Sequence, residues 1–227
     1  MTTQESRRIL IVSDVHANYR ALKAVIDRFG SADEIWCLGD IVEFGPSPAK
    51  CIDLLRECGA RTVQGNHDED FTGEESKENG WASWDAEVTT EHLKYLAGLP
   101  ATLTIHLDGS SFFLVHGSPR DHFWGSLVPN DSLEAVREKI AGCDADYILS
   151  GHTHVPMFLQ AADQLIVNAG AAGQPEDGDS RAQCMLYENR SFRFERVEYD
   201  LDALADDYQS CGLPDDLKKE VLSWQKA

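Results

Sequence analysis

Five short apolar runs each stop at a small polar cluster, and this punctuation constrains the fold more than anything else in the 227-residue chain. Ile9 to Val12 leads into Ser13-Asp14-Val15-His16, Ile35 to Leu38 into Gly39-Asp40, and Thr62 to Gln64 into Gly65-Asn66-His67-Asp68. Phe112 to Val115 then precedes His116-Gly117, and Tyr147 to Leu149 precedes Gly151-His152-Thr153-His154. Short β-prone runs that end in polar residues read as parallel strands, whose carboxyl ends form the crevice where α/β sheets bind ligands. The pattern predicts an α/β fold with the clusters converging on one edge.

The segments between the runs carry helical spacing. Leu22, Val25, Ile26 and Phe29 predict a helix from about Asn18 to the stop at Gly30. Ser47-Pro48 reads as an N-cap and first turn, followed by a buried stripe of Ile52, Leu55 and Cys58 and a stop at Gly59. Glu69 to about Glu91, interrupted by Gly73 and Gly80 and anchored by Trp81 and Trp84, reads as a loop or short-helix insertion. A helix resumes near Thr90, and Asp108-Gly109 marks a hairpin, which makes the sheet mixed. Ser132 caps a helix to about Ala141 with Leu133, Val136 and Ile140 inward. Further short strands follow, then an acidic helical tail. We expect a single domain, 1–227, with the tail from about 201 packed on it.

A formal charge of -19 argues against a nucleic-acid-binding surface, since phosphate backbones are held chiefly by lysine and arginine clusters. No apolar stretch approaches the roughly 18 residues of a membrane span. Met1 to Arg8 lacks an apolar signal region, so the expected compartment is the cytoplasm. The six cysteines form no C-x-x-C pair and read as free, mostly buried thiols.

Singly, the clusters have ordinary explanations: a helix cap for Asp-x-His, a turn for Gly39-Asp40, a core histidine for His116. Only Gly151-His152-Thr153-His154 stands well above that background. Together they place oxygen and imidazole donors at one topological position, a set suited to Mn, Fe, Zn or Ni in a dinuclear site. Two divalent ions would also make an electropositive spot for an anionic substrate in an acidic protein.

These motifs, D-x-H, G-D, G-N-H-D, a lone histidine and G-H-x-H in that order, resemble the calcineurin-like metallophosphoesterases, specifically their compact bacterial and archaeal branch. The likeness extends through Phe44-Gly45-Pro46, His116-Gly117-Ser118-Pro119-Arg120, Asn168-Ala169-Gly170 and Asp177 to Ala182. The resemblance implies a four-layer α/β/β/α sandwich with mixed β-sheets. It implies two divalent metals, manganese foremost, with Fe, Ni, Zn and Mg the other choices. One would be held by Asp14, His16 and His154, the other by Asn66, His116 and His152, with Asp40 bridging. His67 would be the general acid, with Asp68 orienting its imidazole. A hydroxide bridging the metals would attack a phosphate ester. Departures from the family pattern include Ala17 and Glu43 at common glycines and Glu176 at a common arginine.

Arg120 and Arg181 are candidates for substrate phosphate contacts. Trp81, Trp84, Phe123 and Trp124 are candidates for a stacking lid, with core anchoring the commoner use of such residues. His92, His106 and His122 lack partner motifs and read as structural or exposed. The expected substrate is a small phosphorylated compound or nucleotide, with no membrane partner and the oligomeric state open. Two alternatives remain: a dinucleoside polyphosphate hydrolase, disfavoured by the scarcity of nearby cations, and a non-catalytic scaffold like the retromer subunit on this fold.

Overall fold

The computed structural model describes residues 7–73 and 87–224. In chain order the elements are β1 (Ile9–Val12), α1 (Tyr19–Phe29), β2 (Glu34–Cys37), α2 (Pro48–Glu57), β3 (Arg61–Thr62), α3 (Asn66–Thr72) and α4 (Thr90–Ala97). The hairpin β4 (Thr102–Leu107) and β5 (Ser110–Val115) follows, then α5 (Leu133–Lys139), β6 (Tyr147–Ser150), β7 (Met157–Ala161) and β8 (Gln164–Asn168). The chain continues through β9 (Ala182–Glu188), β10 (Ser191–Val197), α6 (Leu201–Ser210) and α7 (Asp215–Trp224).

The strands form two mixed sheets, ordered β10-β9-β1-β2-β3 and β4-β5-β6-β8-β7. Strands β1, β2 and β3 run parallel in the first; β5, β6 and β8 run parallel in the second. The expected convergence therefore happens differently: the polar clusters come from the ends of two sheets rather than one edge.

Side-chain alternation explains the layers. Leu10 and Val12 face α1 and α2, packing with Leu22, Val25, Ile52 and Leu55. Their neighbours Ile9 and Ile11 point the other way and meet Phe112, Leu114, Leu149 and Val167 of the second sheet. Val115, Ile148 and Ile166, on that sheet's outer face, pack on Val136 and Ile140 beside α5. Three apolar interfaces separate four layers, α/β/β/α, because period-two strands present one face to a helix and the other to a sheet. Trp36, fully buried, meets Phe112 edge-on at 5.3 Å between the sheets. Such aromatic pairs contribute about 0.5–1.5 kcal/mol beyond their area.

Several local expectations change. The helix α3 starts at Asn66 itself, so the chain is already helical where the insertion was expected to begin; Trp81 and Trp84 lie outside the described residues. Ser47 makes no side-chain cap, and Pro48 alone marks the first turn of α2. Cys58 is exposed because it sits at the C-cap, past the turns of α2 that pack. Leu133 is 59% exposed as the first residue of α5, before the turn that meets the sheet. Three cysteines, Cys37, Cys51 and Cys184, are buried.

In the tail, Leu204, Tyr208 and Leu213 form a buried cluster against Phe44 and Tyr199. The Arg20 guanidinium donates to both oxygens of Asp207, at 2.7 and 3.0 Å, tying α6 to α1. Among the described residues no helix is long and apolar enough to cross a membrane.

Candidate metal centre and its surroundings

The strand-end loops hold their polar residues in an uncommon backbone conformation. Asp14, His16, Asp40, His152 and His154 all have positive φ, between 45° and 67°. Left-handed backbone is uncommon outside glycine and persists where the surroundings over-determine it. Here the loops bind one another: Asp14 N–H donates to Gly39 O at 3.1 Å, His16 N–H to Asp40 O at 2.9 Å, and Gly151 N–H to His116 O at 2.8 Å. Gly65 has no substitute, because a Cβ there would fall 2.0 Å from the Asp40 carboxylate.

Two sets of donors result. In one, ligand atoms of Asp14, His16 and His154 lie within 4.8 Å of one another; in the other, those of Asp40, His116 and His152 do. The Asn66 Oδ1 joins the second set, 3.0 Å from His116 Nε2 and 3.1 Å from His152 Nδ1. Asp40 Oδ2 reaches both, 3.1 Å from His116 Nε2 and 3.8 Å from His16 Nε2. His116 Nδ1 donates to Leu38 O at 2.8 Å, which turns Nε2 to the centre. His16 and His154 point ring nitrogens at each other across 3.0 Å. The buried His16 Nδ1 and Asn66 Nδ2 have no hydrogen-bond partner. Convergent nitrogen and oxygen donors without thiolates fit first-row divalent cations.

Charge in the set is balanced by protons. Burial works against the His116 and His154 cations, but Asp40 and Asp14 respectively outweigh it and push the imidazoles up to about 9 and about 10. The Asp14 and Asp40 carboxylates are lowered despite burial, chiefly by His154 and His116. His16, buried and facing the His154 charge, is pushed down to about 3.

His67 sits beside the donors, its backbone N–H on Asp40 Oδ1 at 3.0 Å. Its Nδ1 lies 2.7 Å from Glu43 Oε2. Burial would lower the imidazole, but the Glu43 hydrogen bond and the Asp40 charge raise it overall. Asp68 does not orient this ring, contrary to expectation. Its carboxylate accepts from Ile41 N–H at 2.8 Å and Gly65 N–H at 3.0 Å, binding the Asp40 loop to the start of α3. Burial and the Asp40 charge push Asp68 up to about 7.

Residues 8–191 match the model of the calcineurin-like phosphoesterase superfamily domain. The chain belongs to that superfamily. It is therefore a phosphoesterase, a hydrolase of phosphate ester bonds, in a family that typically binds divalent metals. A metallophosphoesterase from Sphaerobacter thermophilus superposes with a TM-score of 0.84 at 32% identity, over 97% of this chain and 100% of that one. Phosphodiesterase YfcE of Escherichia coli is 25% identical over 191 residues, 79% of this chain and 86% of its own. A symmetrical bis(5'-nucleosyl)-tetraphosphatase of Aromatoleum aromaticum is 32% identical over 165 residues, 67% of this chain and 55% of its own.

Around the two donor sets lies an open cleft of about 600 Å³, walled by Phe44, His67, Trp124, Gln174 and Glu176. Neither arginine expected at the substrate lines it. Arg181 is held by Asp179 two residues earlier, with Nε 3.0 Å from Oδ1, and Arg120 lies exposed in a turn whose N–H donates to Lys139 O. Trp124 does reach the cleft, 6.1 Å edge-on from His152, and is 56% exposed. Phe123 does not line it, and His92 is a buried structural residue, near Asp53 at 3.2 Å.

Three side chains outside the donor motifs brace the site. Glu43 takes the place at His67 given to Asp68, and its signal was its departure from a common glycine. Glu176, the other acidic departure, lies 3.1 Å from His154 Nδ1. Asn168 donates to Gly151 O at 2.7 Å and accepts from Gly170 N–H at 2.8 Å, bracing the His152 to His154 loop.

Proposed function

We propose that this protein hydrolyses phosphodiesters, and less readily monoesters, with two divalent metal ions, manganese being the first to test. The observation that carries the reading is Asp40 Oδ2, which faces donors of both sets at once. Asp14, His16 and His154 would hold one ion and Asn66, His116 and His152 the other, with Asp40 shared. When bound, the ions would supply an activated water at neutral pH and positive charge against the phosphoryl oxygens.

The protein's own residues do the rest. Asp40 is kept in place by the His67 N–H on one oxygen, leaving the other for the centre. Asp14 is aimed by the backbone N–H of His152, 3.1 Å from Oδ1. His67 is fixed through Nδ1 by Glu43, which leaves Nε2 to give a proton to the departing alkoxide. A positioned acid of this kind contributes typically about 100-fold or more. Phe44, 4.8 Å from His67 and 5.1 Å from His16, walls that side against water.

Metal analysis and a substrate panel test the proposal. A metal-replete preparation should cleave bis(p-nitrophenyl) phosphate faster than p-nitrophenyl phosphate, and His67→Ala and Asp40→Asn should each lose most of that activity. Unchanged hydrolysis in both variants would remove the proposed chemistry. The tetraphosphatase likeness motivates a second reading, hydrolysis of dinucleoside polyphosphates. Inertness toward diadenosine tetraphosphate would dispose of it.

A further inference from the structure

The charges around the cleft point to a substrate preference, on the reading that the centre hydrolyses phosphodiesters. Apart from the proposed metal donors and His67, the charged side chain lining the cleft is Glu176, and no lysine or arginine lines it among the described residues. Two arginines that meet the Glu176 turn are already committed. Arg181 pairs with Asp179, and Arg196 pairs with Asp177. Thus the turn that carries Glu176 holds its own Arg181 through Asp179 and takes up Arg196 of β10 through Asp177, and neither arginine lines the cleft.

Glu176 is itself 56% exposed in its side chain while resting 3.1 Å from His154 Nδ1, so its charge sits at the rim where a substituent would pass. With Asp14, Asp40 and Glu43, the Glu176 carboxylate beside His154 offsets part of the charge that two divalent ions would bring. That balance suits a singly charged phosphodiester and opposes a substrate with further phosphate. The exposed indole of Trp124 lines the same cleft beside His152. An indole face attracts an alkylammonium group, and more strongly where water is partly excluded.

We propose that Glu176 is a specificity-determining residue that selects phosphodiesters bearing an alkylammonium substituent, with Trp124 assisting, and rejects those bearing further phosphate. Glu176 touches the donor His154 but is given no part in bond breaking, so its effect is read as a ratio between substrates.

The test compares two p-nitrophenyl diesters that share a leaving group and a shape. One is p-nitrophenyl phosphorylcholine; the other carries the 3,3-dimethylbutyl group, which replaces the ammonium nitrogen by carbon. At low ionic strength the native protein should favour the choline ester by about tenfold in kcat/KM, a ratio that shrinks in high salt as exposed charges are screened. Glu176→Gln should bring the ratio toward one, and Glu176→Arg should reverse it and raise the rate on diadenosine tetraphosphate. Metal bound per chain, measured in each variant, should stay level. A native ratio of one, a ratio that survives Glu176→Gln, or a fall in bound metal that accounts for the change would each overturn the proposal. If the metal-replete protein leaves both esters intact, the diesterase reading falls as well, an outcome distinct from equal cleavage of the two.

Discussion

Replacing Glu43 by glutamine tests the proton delivery assigned to His67. The Glu43 carboxylate is 6% exposed and lies 2.7 Å from the imidazole, and it is the largest influence raising that ring against the cost of burial. Glutamine keeps the size and a hydrogen bond but removes the charge. A hydrogen bond to a charged group contributes about 1.5–3 kcal/mol, against roughly half that for a neutral one. The difference, about 0.75–1.5 kcal/mol, lowers kcat by about 4-fold to 13-fold if it is felt fully in the transition state, at 1.36 kcal/mol per factor of ten. The loss should depend on the leaving group. An alkoxide needs a proton to depart, whereas p-nitrophenolate needs little help, so alkyl diesters should lose the larger factor. Steady-state kcat across a series of alkyl and aryl diesters measures this as a steeper dependence on leaving-group basicity. An equal loss for every ester, or none for any, would refute the assignment of proton transfer to the Glu43–His67 pair.

Three further outcomes follow from the same geometry. Gly65→Ala places a Cβ 2.0 Å from Asp40 Oδ1 and 2.4 Å from its backbone nitrogen, so bound metal should drop and the protein should lose about 1–3 kcal/mol in denaturant unfolding; full metal occupancy would contradict it. In the metal-free protein, His116 and His154 are raised to about 9 and about 10, so the stability they add is complete below about pH 6.5 and lost as pH rises through those values. Asp14 and Asp40 are lowered, so their contribution holds above about pH 4 and is lost on acidification. Thermal unfolding of chelator-treated protein across that range measures both limbs, and calorimetric metal titration at pH 7 in buffers of different ionisation enthalpy should register proton release. Leu204→Ala should destabilise the cluster on Phe44, with urea unfolding the check and a loss of about 2–5 kcal/mol expected for a fully packed site.

The donor residues were legible in the sequence because each follows directly on a buried run, where strand geometry leaves little choice of position. The helices were legible where apolar spacing was strong, as in α1. Other features depended on relations that spacing does not encode. The division of the strands between two sheets follows from which faces pack, and Ile9 and Leu10 look alike until one meets a sheet and the other a helix. Asp68 looked like the partner of His67 because it is adjacent in the chain. Both lie in the first turn of α3, however, and consecutive helical residues do not face each other. Glu43 reaches the imidazole across a loop in which Glu43 and Phe44 hold positive φ of 67° and 63°, a path no local pattern announces.

The split of the donors between the sheets gives the centre a second meaning. Each set takes members from both sides of the sandwich: Asp14 and His16 follow β1 while His154 follows β6, and Asp40 follows β2 while His116 and His152 follow β5 and β6. Neither half of the chain can assemble a set by itself. An ion held there as proposed would clasp the two sheets together, so cation affinity would report on their docking, and chains whose halves have not met would lack the proposed centre.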